Sequence, residues 1–236
     1  MPSSFQRIET FREALKEVDF LVECAIKSER EAHTYSIYNK VAILLLSAKF
    51  ENFLEEIVEE FGFKLEEANL MPIKLPETIK ILSSQYLIMK DDFLGALKSG
   101  KNSTSTTLHK IAEIWDSERP IKSLDIDNSF DYGKHGPKAI VKLFKRIGVE
   151  DIFDCCPVYE TQESMSSEAG SPVQIDITAS VNALTGYRNK IIHEDGSPSS
   201  LTYEQIRTYI GHLVLFAGEV GNCLERKLGE IVSHPI

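Results

Sequence analysis

Apolar residues recur at intervals of three and four through the longest segments of the chain, which is the spacing of helices that bury one face. Residues 5–32 and 201–228 show this pattern most clearly. Residues 37–68 begin as an almost wholly apolar run and end rich in glutamate, a composition that suits a central helix emerging into solvent. No series of alternating apolar and polar residues predicts a sheet. The sequence therefore predicts an all-α fold.

Length and composition restrict the class of protein further. The chain has 236 residues, of which 42% are hydrophobic, so one well-buried core can form. No apolar run reaches the roughly 18 residues of a membrane span. The segment that follows Met1 lacks the basic and then apolar layout of a signal peptide. We expect a cytoplasmic protein that does not engage a membrane.

The cysteine count and the net charge restrict the kinds of binding site that the chain can form. Cys24, Cys155, Cys156 and Cys223 are too few for a disulfide framework and lack a usual zinc spacing, so free thiols and no metal or cofactor are expected. A formal net charge of −10 argues against nucleic-acid binding by the whole surface. Any RNA would have to bind at a local basic site.

One charged residue interrupts a predicted apolar helix face. Residues 178–193 fit an amphipathic helix, and Arg188 falls in the middle of its apolar side. That side is formed by Val181, Leu184, Tyr187, Ile191 and Ile192. A buried guanidinium without a partner is costly, so the face should meet an anion or a second protein surface. Asn189 and His193 share one side of the helix and, with Arg188, can converge on a single oxyanion.

A basic strip is predicted between residues 134 and 147. The apolar residues of this segment fall on one side of a helix, and the basic residues fall largely on the other. The basic set is Lys134, His135, Lys138, Lys142, Lys145 and Arg146. These side chains could hold RNA phosphates, or they could be an ordinary solvated helix face.

Three segments together resemble a known family. Arg188-x-x-x-x-His193, with Asn189 after the arginine, resembles the Arg-x-x-x-x-His signature of HEPN domains. Residues 41–53 are similar to the first core helix of the branch called RiboL-PSP-HEPN or MAE-type. Residues 131–136, followed by 142–144, are similar to the middle of that branch. The resemblance covers residues 37–228.

The resemblance implies an all-α, HEPN-type helical bundle that spans residues 1–236 as one domain. An extra N-terminal helix and a helical insertion would be added to the HEPN core. The expected parts are an N-terminal helix over residues 1–35, a first core helix over 37–70, a helical insertion over 77–156, an exposed loop over 157–175, and the motif helix with the C-terminal helix over 176–230.

The resemblance also implies a function, because HEPN domains are often metal-independent ribonucleases. The expected activity is endonucleolytic RNA cleavage by 2′-hydroxyl attack, which leaves 2′,3′-cyclic phosphate ends, within a toxin or anti-phage defence system. His193 would transfer the proton, since imidazole titrates near neutrality, and Arg188 would stabilise the phosphorane. Asn189 would orient His193 or donate to a phosphoryl oxygen, and Glu51 would hold Arg188.

In HEPN ribonucleases two motifs meet across a homodimer interface. The expected partners are therefore RNA, a second copy of the chain bound through the Arg188–His193 helix, and an antitoxin or a defence-system partner. HEPN toxins controlled by an adenylylating nucleotidyltransferase usually carry a tyrosine where this chain has Asp195. Regulation by tyrosine adenylylation is therefore not expected at that position.

Two other interpretations remain open on the sequence. The domain could be a noncatalytic HEPN module that binds RNA, a nucleotide or a protein, or a purely structural dimerisation domain. If the motif residues have only a structural role, Arg188 could pair with Glu51 or Glu55 inside the bundle. His193 would then cap the helix at its carboxyl end, where an imidazolium is favourable.

Overall fold

The computed structural model describes residues 4–90, 93–100, 103–116, 118–131, 134–161, 172–194 and 201–233. Within these ranges the α-helices are α1 Gln6–Lys27, α2 Ala32–Glu67, α3 Glu77–Lys90, α4 Phe93–Lys98, α5 Ser103–Trp115, α6 Pro137–Lys145, α7 Ile152–Cys155, α8 Ile177–Glu194 and α9 Tyr203–Ser233. A single 3-10 turn covers Pro72–Lys74. The predicted all-α class is confirmed. No described helix combines the length and the apolar character needed to cross a bilayer.

Four long helices, α1, α2, α8 and α9, pack around the main core. The first two lie side by side, and α9 contacts both of them as well as α8. Aromatic rings fill the centre: Phe11 of α1 stacks on Phe53 of α2 with ring centroids 4.7 Å apart. Phe216 of α9 stacks on Phe153 of α7 at 5.4 Å. Phe216 also lies against Phe50 of α2, with ring centroids 6.3 Å apart, which places the last helix of the chain on α2.

Helix α2 begins earlier than the sequence indicates. Ser36 is a good N-cap residue, which predicts a start at residue 37, but the helix begins at Ala32. The hydroxyl of Thr34 donates to the Glu31 carboxylate at 3.1 Å. Tyr35 packs edge-on against Tyr203 of α9, with ring centroids 6.4 Å apart. The extra turn therefore forms because it gains both a local hydrogen bond and a tertiary contact.

The inserted helices α3, α4 and α5 pack mainly on one another. The segment from 118 to 131 then runs back toward α2. Glu66 of α2 accepts a hydrogen bond from the amide of Leu124, and Ser83 of α3 donates to the carbonyl of Asp125 at 2.7 Å. Side-chain bonds to secondary structure thus hold a segment that has no regular structure of its own. The start of α6 follows after this segment.

The region predicted as an exposed loop over residues 157–175 contains two short strands. β1 (Val158–Thr161) and β2 (Pro172–Ile175) pair antiparallel, with Val158 opposite Ile175. Residues 162–171 between them lie outside the described part of the chain. Val158 is buried and β1 contacts α9. That tertiary contact explains the strand, since the polar sequence alone predicts none.

Candidate functional site

The motif helix α8 is anchored at its beginning and emerges toward its end. The Asp176 carboxylate accepts a hydrogen bond from the amide of Ala179 at 2.8 Å, which caps the helix. Val181 and Leu184 are both 2% exposed. Two turns later the apolar face leaves the core, and Ile192 is 51% exposed. The apolar side of α8 is therefore buried at its start and open to solvent at Ile192 in the single chain.

The three motif residues lie at the emerging end of α8. Arg188 is half-buried, whereas Asn189 and His193 are exposed. The Arg188 Nη1 donates to Asn189 Oδ1 at 3.3 Å. Asn189 and His193 lie one turn apart and so share a side of the helix. The polar end of α8 is therefore open to a ligand or to a second protein surface.

The expected contact between Glu51 and Arg188 is not found among the described residues. Glu51 instead lies against His135, with Oε1 2.9 Å from Nδ1. Glu55, the other carboxylate considered for Arg188, accepts a hydrogen bond from the amide of Phe130 at 2.8 Å. The segment that precedes α6 packs on this part of α2 and engages both carboxylates. No carboxylate in the described part of the chain pairs with Arg188.

Gly136 positions α6 against the motif helix. Its φ is +92°, a backbone conformation that favours glycine, and a Cβ here would lie 3.5 Å from Thr185 Oγ1 on α8. Pro137 follows at the first position of α6, where a missing amide proton is tolerated. The amides of Ala139 and Ile140 both donate to the Gly136 carbonyl. The start of α6 thus lies directly on α8.

A cleft of about 460 Å³ lies where α6 meets α8. Its lining combines five of the six predicted basic residues with one motif residue: Lys134, His135, Lys138, Lys142, Arg146 and Asn189. Phe130 and Leu143 add apolar surface. Lys145 lies outside this cleft and pairs with Glu150 at 3.6 Å. Arg188 and His193 are not among the lining residues, so the cleft reaches the motif through Asn189.

The cleft carries a net positive charge in a chain that is acidic overall. Four cationic side chains, those of Lys134, Lys138, Lys142 and Arg146, surround one carboxylate, that of Asp131. Asp131 accepts from Lys142 at 2.6 Å and from Lys134 at 3.3 Å. These hydrogen bonds hold the pKa of Asp131 below its usual value, that from Lys142 most strongly. Lys138 makes no ion pair with the described residues and can receive an anion.

Arg146 is engaged in holding the edge of the cleft. Its guanidinium pairs with Asp127 at 3.1 Å and with Asp131 at 3.3 Å, and it donates to the carbonyls of Asp127 and Ser129. Its side chain is 12% exposed. The segment 127–131 is therefore ordered around one cation. Neither aspartate was predicted as a site residue, although Asp131 lies in the segment 131–136 that resembles the family.

His135 is held beside α2 at the inner side of the cleft. Its side chain is 20% exposed, and the buried Nδ1 atom lies near Glu51 without the alignment of a hydrogen bond. The two residues are 84 positions apart, so local sequence could not have joined them. The only signal was that each lies in one of the segments that resemble the family.

Some sequence predictions fall outside the described residues. These are Tyr132 and Gly133 in the segment that resembles the family, and Asp195 beyond the motif. Within the described residues, no group of three or more His, Cys, Asp and Glu side chains is arranged to hold a metal ion.

Comparison with known protein families identifies the family of this chain. The model of the RiboL-PSP-HEPN family matches residues 9–226, which include α2, the basic helix α6 and the motif helix α8. The chain belongs to the RiboL-PSP-HEPN family. HEPN domains are all-helical and are often ribonucleases or nucleotide-binding modules. Searches of the curated proteins and of the solved structures found no match.

Proposed function

We propose that this RiboL-PSP-HEPN protein is a metal-independent endoribonuclease of a toxin or anti-phage defence system. One observation carries the proposal: the cationic side chains of α6 and Asn189 of the motif helix line the same cleft. An electropositive cleft on an acidic protein favours a polyanion locally while the rest of the surface repels it. RNA phosphates on Lys138 and Lys142 would bring the strand to the end of α8.

The chemistry follows from the residue types at that end. The 2′-hydroxyl attacks the adjacent phosphorus, the 5′-oxygen leaves, and a 2′,3′-cyclic phosphate remains. His193 is exposed at the last turn of α8, and its imidazole would act as the proton-transfer group. Arg188 supplies a forked, permanently charged donor to the phosphorane. Asn189 accepts from Arg188, so it orients the guanidinium and presents its own amide to the cleft.

The site is completed by a second copy of the chain. Arg188 has no carboxylate partner in the described residues, and the neighbouring Ile192 is exposed, so this end of α8 offers both an apolar contact and an unpaired cation. A symmetric dimer through α8 covers Ile192 and brings two sets of Arg188 and His193 together. In this dimer, the cationic cleft of each chain would lead to the place where the two sets of Arg188 and His193 meet.

A noncatalytic binding module is the second candidate. The observation that favours it is that neither Arg188 nor His193 lines the cleft of the single chain. RNA or a nucleotide would then bind on α6 without reaching a proton-transfer group. An antitoxin or defence-system protein could occupy the same end of α8.

Cleavage of labelled total RNA and tRNA in excess EDTA tests the proposal. The wild type is compared with Arg188→Ala and His193→Ala, and with His33→Ala as a matched control on an exposed histidine of α2. Circular dichroism confirms that each variant is folded. The expected result is cutting by the wild type and by His33→Ala, with cyclic phosphate ends, and at least about a 100-fold loss in both motif variants.

Other outcomes separate the candidates. Equal cutting by all four proteins would mean a contaminating nuclease and would contradict the proposal. Tight RNA binding without cutting by the wild type would replace it with the noncatalytic module. Absence of both binding and cutting would leave only a structural role.

A further inference from the structure

A second groove continues from the cleft between α6 and α8 onto the inserted helix α3. This α3 groove has a volume of about 770 Å³ and is lined by α3, by the segment 126–131 and by the end of α6. Four residues line both the groove and the cleft: Ser129, Asp131, Lys142 and Arg146. The cleft and the α3 groove are therefore two parts of one continuous channel on the surface of the protein.

A row of cations on α6 runs along both parts of this channel. Lys138, Lys142 and Lys145 recur at intervals of four and three residues, so they share one face of the helix. Lys138 lines the cleft, Lys142 lines both parts, and Lys145 lines the α3 groove. The first and the last of these lysines are separated by roughly 10 Å along the helix axis. They can therefore contact different phosphates of one strand.

The α3 groove differs from the cleft in its apolar and aromatic lining. The side chains that provide it are Leu82, Tyr86, Met89 and Ile126. Met89 is 72% exposed, and Tyr86 is half-buried. A phosphate gains nothing from such a surface, whereas every nucleic-acid base has a flat face that packs against it. The α3 groove therefore suits bases, while the cleft suits phosphates.

The carboxylates of the α3 groove are paired with its own cations. Arg146 pairs with Asp127 at 3.1 Å and with Asp131 at 3.3 Å. Lys145 pairs with Glu150 at 3.6 Å. These ion pairs reduce the repulsion that an anionic strand would meet at the groove. The acidic residues of the lining are therefore compatible with a nucleic acid.

Tyr86 is the residue best placed to hold a base. It lines the α3 groove, and the Lys90 ammonium lies over its ring, 5.2 Å from the ring centroid. Aromatic side chains that stack on bases, next to cations that meet the phosphates, are the usual means of binding a single strand. Tyr86 and Lys90 lie one turn apart on α3 and provide both groups at one place.

We propose that the channel binds a single strand of RNA, with its phosphates along the lysines of α6 and one of its bases stacked on Tyr86 in the α3 groove. This inference rests on the proposed function, because it assigns a substrate class to the same site. The paired bases of a duplex are stacked on one another and cannot reach Tyr86. A protein segment in the groove would leave the row of lysines that enters the cleft without a role, so the strand is the better occupant.

The test measures binding of an oligonucleotide of about ten nucleotides, within the usual site size for a single strand, in which 2′-deoxy nucleotides prevent cleavage. The wild type is compared with Tyr86→Leu, which keeps apolar bulk, with Tyr86→Trp, which keeps an aromatic ring, and with Tyr159→Leu. Tyr159 is 54% exposed on β1 and lines neither part of the channel, so it is the matched control. Circular dichroism confirms that each variant is folded.

We expect Tyr86→Leu to weaken binding of the single strand about fivefold or more, while Tyr86→Trp and Tyr159→Leu stay near the wild type. A 2-aminopurine placed at successive positions of the strand should be quenched at one position by the wild type and much less by Tyr86→Leu. A duplex of the same sequence should bind more weakly than the strand, and its affinity should not depend on Tyr86.

Failure of this inference can be told apart from failure of the proposed function. Equal affinity of the wild type and Tyr86→Leu for the strand, or tighter binding of the duplex, would overturn the inference alone. Binding that depends on Tyr86 in a protein that cuts no RNA would uphold it and contradict only the nuclease. Absence of RNA binding by the wild type would overturn both. A poly-glutamate peptide that binds more tightly than the strand and depends on Tyr86 would assign the groove to a protein segment instead.

Discussion

At the scale of single residues, Glu51 of α2 positions His135 at the inner side of the cleft. Replacing Glu51 by alanine removes the carboxylate 2.9 Å from the imidazole, and the almost unexposed Nδ1 atom then loses that anionic neighbour. We expect a loss of about 1 kcal/mol in the free energy of unfolding and a weaker affinity for RNA. Urea unfolding and fluorescence anisotropy with an uncleavable RNA measure the two effects.

Glu67→Ala is the matched control for that substitution, because Glu67 is exposed on the same helix. It should leave both quantities near the wild-type values. Equal effects of the two substitutions would mean that Glu51 does not position His135.

A second residue pair makes stability depend on pH. Ser180 Oγ on α8 lies 2.8 Å from His212 Nδ1 on α9, and burial lowers the pKa of His212 from 6.5, with Glu160 opposing the shift. The folded protein therefore favours the neutral imidazole, while the unfolded chain takes up a proton once the pH falls below 6.5. This stabilisation is complete above 6.5 and is lost as the pH falls through the lowered value.

Urea midpoints measured between about pH 7.5 and pH 5 test that dependence. The wild type should lose stability on acidification, and His212→Gln should start less stable but show a flatter profile. His33→Gln, on an exposed position of α2, should follow the wild type. The same slope in the wild type and in His212→Gln would contradict the prediction.

Residue types were easier to predict than their partners. The basic residues between 134 and 146 could be identified because they recur within a few positions, and five of the six line one cleft. The partner of Glu51 could not be identified, because the segment that covers α2 comes from 84 positions away. Pairings of this kind depend on tertiary packing, on which local spacing carries no information.

At the scale of elements, the junction between α6 and α8 depends on one glycine. Gly136 has a φ of +92°, which a side chain disfavours, so Gly136→Ala should cost on the order of 1–2 kcal/mol of unfolding free energy. The start of α6 should also shift away from Thr185, which would weaken RNA binding. Thermal or urea unfolding checks the first effect, and anisotropy checks the second.

Gly229→Ala is the control for this substitution and should not lower the free energy of unfolding. Gly229 lies inside α9, and a Cβ added there would meet nothing within 4 Å, so alanine should be neutral or stabilising by up to about 1 kcal/mol. If Gly136→Ala and Gly229→Ala changed the free energy of unfolding equally, the positive φ of Gly136 would not explain the loss.

Elements with strong helical periodicity could be predicted, but the ends that depend on tertiary contacts could not. The motif helix is expected over residues 178–193 and occupies Ile177–Glu194, since its apolar spacing and its Asp176 cap are local features. The early start of α2 and the strand pair β1–β2 arise from contacts with α9, at Tyr203 and through Val158. Contacts of that kind stabilise conformations that the local sequence does not favour.

At the scale of the whole molecule, the proposed dimer can be tested apart from catalysis. Ile192 is 51% exposed on α8, and an aspartate there would place a charge in the proposed interface. Sedimentation velocity should show a dimer for the wild type and a monomer for Ile192→Asp. Ile81→Asp alters an isoleucine on α3 that is 49% exposed and should stay dimeric. A wild-type monomer, or a dimeric Ile192→Asp variant, would contradict this interface.

The proposed function requires the cleft between α6 and α8 to receive RNA, and Lys138 tests this requirement without depending on catalysis. Lys138 and Lys122 are both exposed and lack an ion pair among the described residues, but only Lys138 lines the cleft. Affinity for an RNA in which 2′-deoxy nucleotides prevent cleavage is measured at several salt concentrations, for the wild type, Lys138→Gln and Lys122→Gln.

We expect Lys138→Gln to weaken binding severalfold and to make the slope of log affinity against log salt shallower by about 0.7, as for one lost phosphate contact with a single strand. Lys122→Gln should match the wild type in both affinity and slope. Equal losses in the two variants, or no loss in Lys138→Gln, would contradict the assignment of the cleft as the RNA site.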